Sequence, residues 1–151
     1  MAYTRADIES VLVQRVGGVF IAASMDGTTI SGSNASLNDP IGYALRQLGY
    51  NVAYIASVSD ADLAGVPGSE IDALLDLAEL RALNNFIGMY SAVDIRLGPR
   101  SENLSQLAAQ VGKRVEALEK SIASNYGLLS SAEFGTLTLD FAEHYDDQEE
   151  R

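Results

Sequence analysis

The chain contains no cysteine and no tryptophan, and it has one histidine and three prolines. Without cysteine there are no disulfides, no thiolate nucleophile and no sulfur ligand for a metal, a pattern that fits a reducing compartment. The lone histidine, His144, lies in an acidic stretch near the end of the chain. Alone, it leaves the usual zinc ligand sets incomplete and gives a general base no pocket. Basic residues are also scarce: 10 Lys and Arg stand against 21 Asp and Glu, for a net charge of −11. So few cations are a poor match for gripping a phosphate backbone. No apolar run is long enough to span a bilayer, so no membrane is expected among its partners. No basic region followed by an apolar block opens the chain, so no leader peptide is expected.

Motifs for chemistry are missing as well. Gly17-Gly18 lacks the Lys-Ser/Thr that completes a phosphate-cradling loop, and no Gly-x-Ser-x-Gly turn occurs. Asp60 with Asp62, and Asp146 with Asp147, lack the glycine and distal glutamate of a calcium loop. Asp72, Asp76 and Glu79 are the carboxylates from which an enzymatic site could be built. They are more simply the first turn and wet face of an amphipathic helix, where the dipole favours acids. The sequence therefore points to a protein that is not an enzyme and needs no cofactor or metal.

What is present is a strong helical pattern. Residues 69–90 place Ile71, Leu74, Leu75, Ala78, Ala82, Phe86 and Tyr90 at three- and four-residue steps. Leu77, Leu80, Leu83 and Ile87 widen that face, so this is expected to be the most buried helix, with Ser69 as its cap. Residues 101–126 carry a heptad-like seam of Leu104, Ala108, Val111, Val115, Leu118 and Ile122, closed by Gly127. The two segments form a long helical hairpin around which the rest is organised. The seam can serve an ordinary intramolecular core or lie partly between molecules.

The other segments read in order. Residues 4–16 form a first helix capped by Thr4 with Asp7, and Gly17-Gly18 stops or hinges it. Residues 19–23 are either a strand or a helical continuation. Asp26-Gly27 signals a turn with a hairpin across it, and residues 28–38 are a polar loop. Asp39-Pro40 opens a helix that ends at Gly49. Residues 50–59 alternate and read as extended, and Ser59 with Asp62 caps one helical turn. Residues 91–97 also alternate and read as extended. Residues 133–141 alternate most clearly, with Leu137, Leu139 and Phe141 on one side, and an acidic end follows. From residue 133 on there are seven acids and one base, which contribute −6 of the net charge. The expected fold is mainly α. It is a small helical bundle around a long helical hairpin, with a long irregular loop and a short C-terminal β-like extension. Residues 1–127 form the helical domain and 128–151 the extension.

The order of elements resembles a known family. MAYTRADIESVL opens the chain, followed by DPIGYALRQLGY and the SDADLAGV turn. The Leu-rich helix then runs into VDIRLGPR, and SENLSQLAAQ begins the last helix, which ends in Tyr126-Gly127. Over residues 1–127 this resembles the head-to-tail connector (adaptor, head-completion) proteins of tailed bacteriophages. The resemblance implies a structural protein of the virion neck, a homo-oligomeric ring of about twelve copies closed by symmetry. It also implies binding to the portal protein and to a tail or downstream neck protein, with DNA passing through the lumen without sequence-specific binding. A strand without a local partner suits addition to a neighbouring edge, which makes Phe134, Leu137, Leu139 and Phe141 candidate partner-binding residues. The semi-apolar loop adds Phe20, Ile21, Met25 and Ile30 to that set. A generic acidic helical interaction module accounts for the same composition and remains the alternative.

Overall fold

The computed structural model describes residues 3–93 and 101–128. The described chain is a helical bundle of five α-helices: α1 (Arg5–Ala22), α2 (Asn38–Gln47), α3 (Asp60–Leu63), α4 (Ile71–Val93) and α5 (Ser101–Tyr126). Single 3-10 turns, Ala35–Leu37 and Gly68–Glu70, lead into α2 and α4. Helix α4 is the hub and packs against α1, α2 and α5. Its Leu74, Leu77, Ala78, Ala82, Leu83 and Phe86 are fully buried, as the width of its apolar face requires.

Helix α1 begins where the sequence indicates, with the reciprocal Thr4–Asp7 capping box. It does not end at Gly17-Gly18. It continues through both glycines to Ala22, which resolves residues 19–22 as helix. The reason lies in the spacing. Ile8, Leu12, Val16 and Phe20 succeed one another at four-residue steps and are all buried, so the face that enters the core needs the fourth turn. After it the chain turns at Ser24, whose φ of 59° is the one positive value at a non-glycine among the described residues. The Met25 N–H closes the end by donating to the Phe20 carbonyl at 2.8 Å.

No hairpin forms across Asp26-Gly27. Instead the Asp26 carboxylate accepts from the Thr28 and Thr29 amides at 3.1 and 2.9 Å, and side-chain hydrogen bonds replace a strand ladder. Helix α2 starts at Asn38, two residues before the expected first position at Pro40, and Asp39 is not its cap. The cap position is Leu37, which makes no side-chain bond, and the Asp39 carboxylate reaches across to Arg81 of α4 at 2.8 Å. Pro67, rather than Ser69, precedes the turn into α4. Residues 50–59 contain a single isolated bridge, between Tyr54 and Ser57, so their alternation does not build a sheet. No strand occurs among the described residues. Residues 91–93, expected as extended, continue α4. The rest of that segment, 94–97, and the strand-like extension lie outside the described residues.

Helix α5 has its expected bounds, and Gly127 ends it at φ +65° with its N–H on the Ala123 carbonyl at 3.1 Å. Along its seam Val111, Val115 and Ile122 are buried in the core of the same chain, and Leu118 packs beside them. Those residues of the seam serve an intramolecular core.

Candidate interaction surface

The eight residues expected to bind partners fall into three groups. Phe134, Leu137, Leu139 and Phe141 lie outside the described residues. Phe20 is 1 % exposed and belongs to the core, so it is not a surface residue. Met25 is partly buried against that core, whereas Ile21 and Ile30 are 56 % and 47 % exposed. The apolar surface of the loop is therefore narrower than the sequence suggests. One residue step along the helix puts Phe20 and Ile21 about 100° apart, and only the first turns into the core.

Two exposed apolar residues that sequence reasoning missed are Tyr54 and Ile55, at 72 % and 77 %. They sit on a tight turn closed by the Ser57 N–H on the Tyr54 carbonyl at 3.3 Å. Asp62 braces its root by accepting from the Ala53 amide at 2.9 Å while completing its own capping box with Ser59. The signal for this turn was present: two large apolar side chains in a segment with no strand to pair with. Reading alternation alone assigned them to an extended element.

Beside the turn lies a cleft of about 500 Å³ lined by Thr4, Ala6, Ser31, Gly32, Val58, Ser59 and Asp60. A buried ion pair builds its walls. Arg5 and Glu9, one turn apart on α1, are bonded at 3.0 Å and have almost no exposed surface. Arg5 also donates to the Val58 carbonyl at 2.6 Å, the Asn34 carbonyl at 3.0 Å and the Asn38 side chain at 2.9 Å. Glu9 accepts from the Gly32 and Asn34 amides, each at 2.8 Å. One ion pair thereby ties the loop after α1, the start of α2 and the segment before α3 to a single helix. Burial pushes the Arg5 guanidinium below its usual range, and Glu9 opposes that shift. The Arg5 amide itself donates to Asp60 at 2.6 Å.

The carboxylates weighed as a catalytic set occupy an interhelical network. Glu79, nearly buried, accepts from Arg15 of α1 at 3.1 Å and from Arg114 of α5 at 2.9 Å. Asp76 accepts from Arg15 at 2.8 Å and from the Tyr126 hydroxyl at 3.1 Å. Burial works to lower the Arg15 pKa, but the contacts with Asp76 and Glu79 outweigh it and raise it. These acids cross-link α1, α4 and α5, and Asp72 stays on the exposed face. Among the described residues no three acidic or histidine side chains converge on a metal-sized site, and every buried side-chain polar atom has a partner. No described helix is long and apolar enough to cross a membrane.

No protein-family model, curated protein or solved structure matches this chain.

Proposed function

We propose that this chain is a structural protein of the neck of a tailed-bacteriophage particle. Assembled in the host cytoplasm as a ring, it joins the portal vertex to the tail or to the next neck protein. The reading rests on the sequence resemblance over residues 1–127. The observation that carries it furthest is the helix order. A capped first helix, a loop, a short helix and a one-turn helix lead into the long α4–α5 pair, which is the order that the resemblance implies for the described segments; residues 94–100 of the resemblance lie outside them. The acidic balance suits a lumen through which DNA moves without sticking, since like charge repels the phosphate backbone.

The test is whether the chain is a component of particles. Purified virions are separated on a gradient, and the chain is quantified by mass spectrometry against the major capsid protein. Recovery in the particle fraction at about a dozen copies supports a symmetric ring. Recovery only in the light soluble fraction removes the neck reading. The acidic interaction module would then be the better account, and the exposed Tyr54–Ile55 turn favours that reading independently of any particle.

A further inference from the structure

We infer that α5 is a detachable strap. It opens as a unit while α1, α2 and α4 stay folded together, and its clasp is a pair of α4 carboxylates. The inference rests on the packing of this one chain and is independent of the neck reading. Three observations carry it.

The first is how little holds α5. Of its side chains from residue 106 on, only Val111, Val115 and Ile122 are buried, with the larger Leu107, Leu118 and Tyr126 partly so. Helix α1 packs on the same hub but inserts Ile8, Leu12, Val16 and Phe20, all fully buried. It is also tied to the Asn34 and Val58 backbone through buried Arg5 and Glu9. An element with few buried apolar contacts can open by itself at a lower free energy than the whole chain.

The second is where the polar ties fall. Asp76 and Glu79 lie three residues apart on one face of α4. Each divides its two oxygens between the neighbouring helices. Asp76 Oδ1 accepts from Arg15 of α1 at 2.8 Å, and Oδ2 accepts from the Tyr126 hydroxyl of α5 at 3.1 Å. Glu79 Oε2 accepts from Arg15 at 3.1 Å, and Oε1 accepts from Arg114 of α5 at 2.9 Å. The bonds to α5 can therefore break while those to α1 stay made.

The third is the state that opening leaves behind. Breaking a buried ion pair is costly when one charge remains buried alone. Here Arg15 keeps Oδ1 of Asp76 and Oε2 of Glu79, and the oxygens that α5 covered are reached by water. Arg114, already 45 % exposed, completes its own hydration. The clasp thus favours the closed strap without making its release ruinous to the rest of the bundle.

The experiment is native-state hydrogen exchange of the full-length chain in increasing urea, followed by mass spectrometry. It compares wild type with Arg114→Gln, Tyr126→Phe and Ile41→Val. Ile41 is fully buried on α2, which packs on α4. In wild type, the amides of residues 106–126 should share one level of protection, about tenfold or more below that of residues 74–86. Arg114→Gln should lower protection about threefold or more in both sets alike, because unfolding the whole chain includes releasing α5. Tyr126→Phe should act in the same direction. Ile41→Val should lower protection about threefold or more in α4 and leave α5 unchanged, because the strap opens without disturbing Ile41. Three results would overturn the inference. They are one common level for α4 and α5, a loss in α5 on Ile41→Val equal to that in α4, or α5 protection unchanged by Arg114→Gln.

Discussion

Gly17 and Gly27 meet backbone against backbone. A Cβ on Gly17 would collide with the Gly27 carbonyl oxygen, and a Cβ on Gly27 would collide with that of Gly17. Two glycines ten residues apart let the chain leave α1 and fold straight back along its side. The first prediction follows from the asymmetry between neighbours. Gly17→Ala and Gly27→Ala each force backbone apart and should destabilise by ~1–3 kcal/mol, the range for overpacking a filled site. Gly17→Ala should show the smaller loss, because alanine regains ~1 kcal/mol of helix propensity there. Gly18 has open space around it, so Gly18→Ala should stabilise by ~0.5–1 kcal/mol. Urea denaturation of the three variants checks the order, and equal effects at all three would mean that the close contact does not form.

Phe20 and Ile21 offer a second contrast between adjacent residues. Phe20 is surrounded by the core, so Phe20→Ala should remove ~3–5 kcal/mol through lost burial and the cavity left behind. Ile21 is more than half exposed, and Ile21→Ser should stay within ~0.5 kcal/mol of wild type. Chemical denaturation of each measures this directly. A Phe20→Ala variant as stable as Ile21→Ser would place the end of α1 at the surface.

The helices were legible because their signals are local and periodic. The caps Thr4–Asp7 and Ser59–Asp62, the apolar faces of α4 and α5, and the stop at Gly127 all follow from residues a few positions apart. What was not legible depends on partners distant in sequence. Gly17-Gly18 reads as a helix stop until Gly27 is found packed against it. Asp39 reads as a cap until Arg81, on another helix, is found to hold it. Arg5 and Glu9 look like an ordinary surface pair one turn apart. Only the folded loop shows that they lie in the interior with five further hydrogen bonds between side chain and backbone or side chain and Asn38. The candidate surface was partly visible, since Ile21 and Ile30 are exposed, but the Tyr54–Ile55 turn was hidden by an alternation that resembles a strand.

The Arg5–Glu9 pair gives the third prediction. Removing one partner of a buried pair leaves the other charge without compensation, so Glu9→Ala or Arg5→Ala should destabilise by ~3–5 kcal/mol. Replacing a buried pair with apolar residues of similar size is often neutral. Here it should not be, because Arg5→Met/Glu9→Leu also strips partners from the Gly32 and Asn34 amides and from the Val58 and Asn34 carbonyls. The double variant should remain well below wild type in urea, and its loop around residues 31–34 should become the first site of limited proteolysis. Recovery to wild-type stability would show that the single losses come from uncompensated charge alone and that the backbone contacts add no net stability.

Asp26 makes the turn after α1 sensitive to acid. Hydrogen bonds from Thr29 and Thr28 hold its carboxyl down to about 2, from an ordinary value of 3.8. Because the folded-state value is depressed, the ionised form favours the fold. That contribution is fully present above 3.8 and is lost as pH falls through about 2. Asp7, lowered by Thr4, Asp39, lowered by Arg81, and Asp62, lowered by the Ala53 and Ser59 amides, act with the same sign. The melting temperature should therefore drop through this window, and Asp26→Asn should drop less steeply. The two curves should differ most above 3.8, where wild type is the more stable, and converge as Asp26 is protonated. Carboxyl NMR gives the sharper readout, with a titration midpoint for Asp26 near 2. A midpoint at the ordinary value would mean that the threonine hydrogen bonds are not made in solution, and that the chain turns back toward Gly17 by another route.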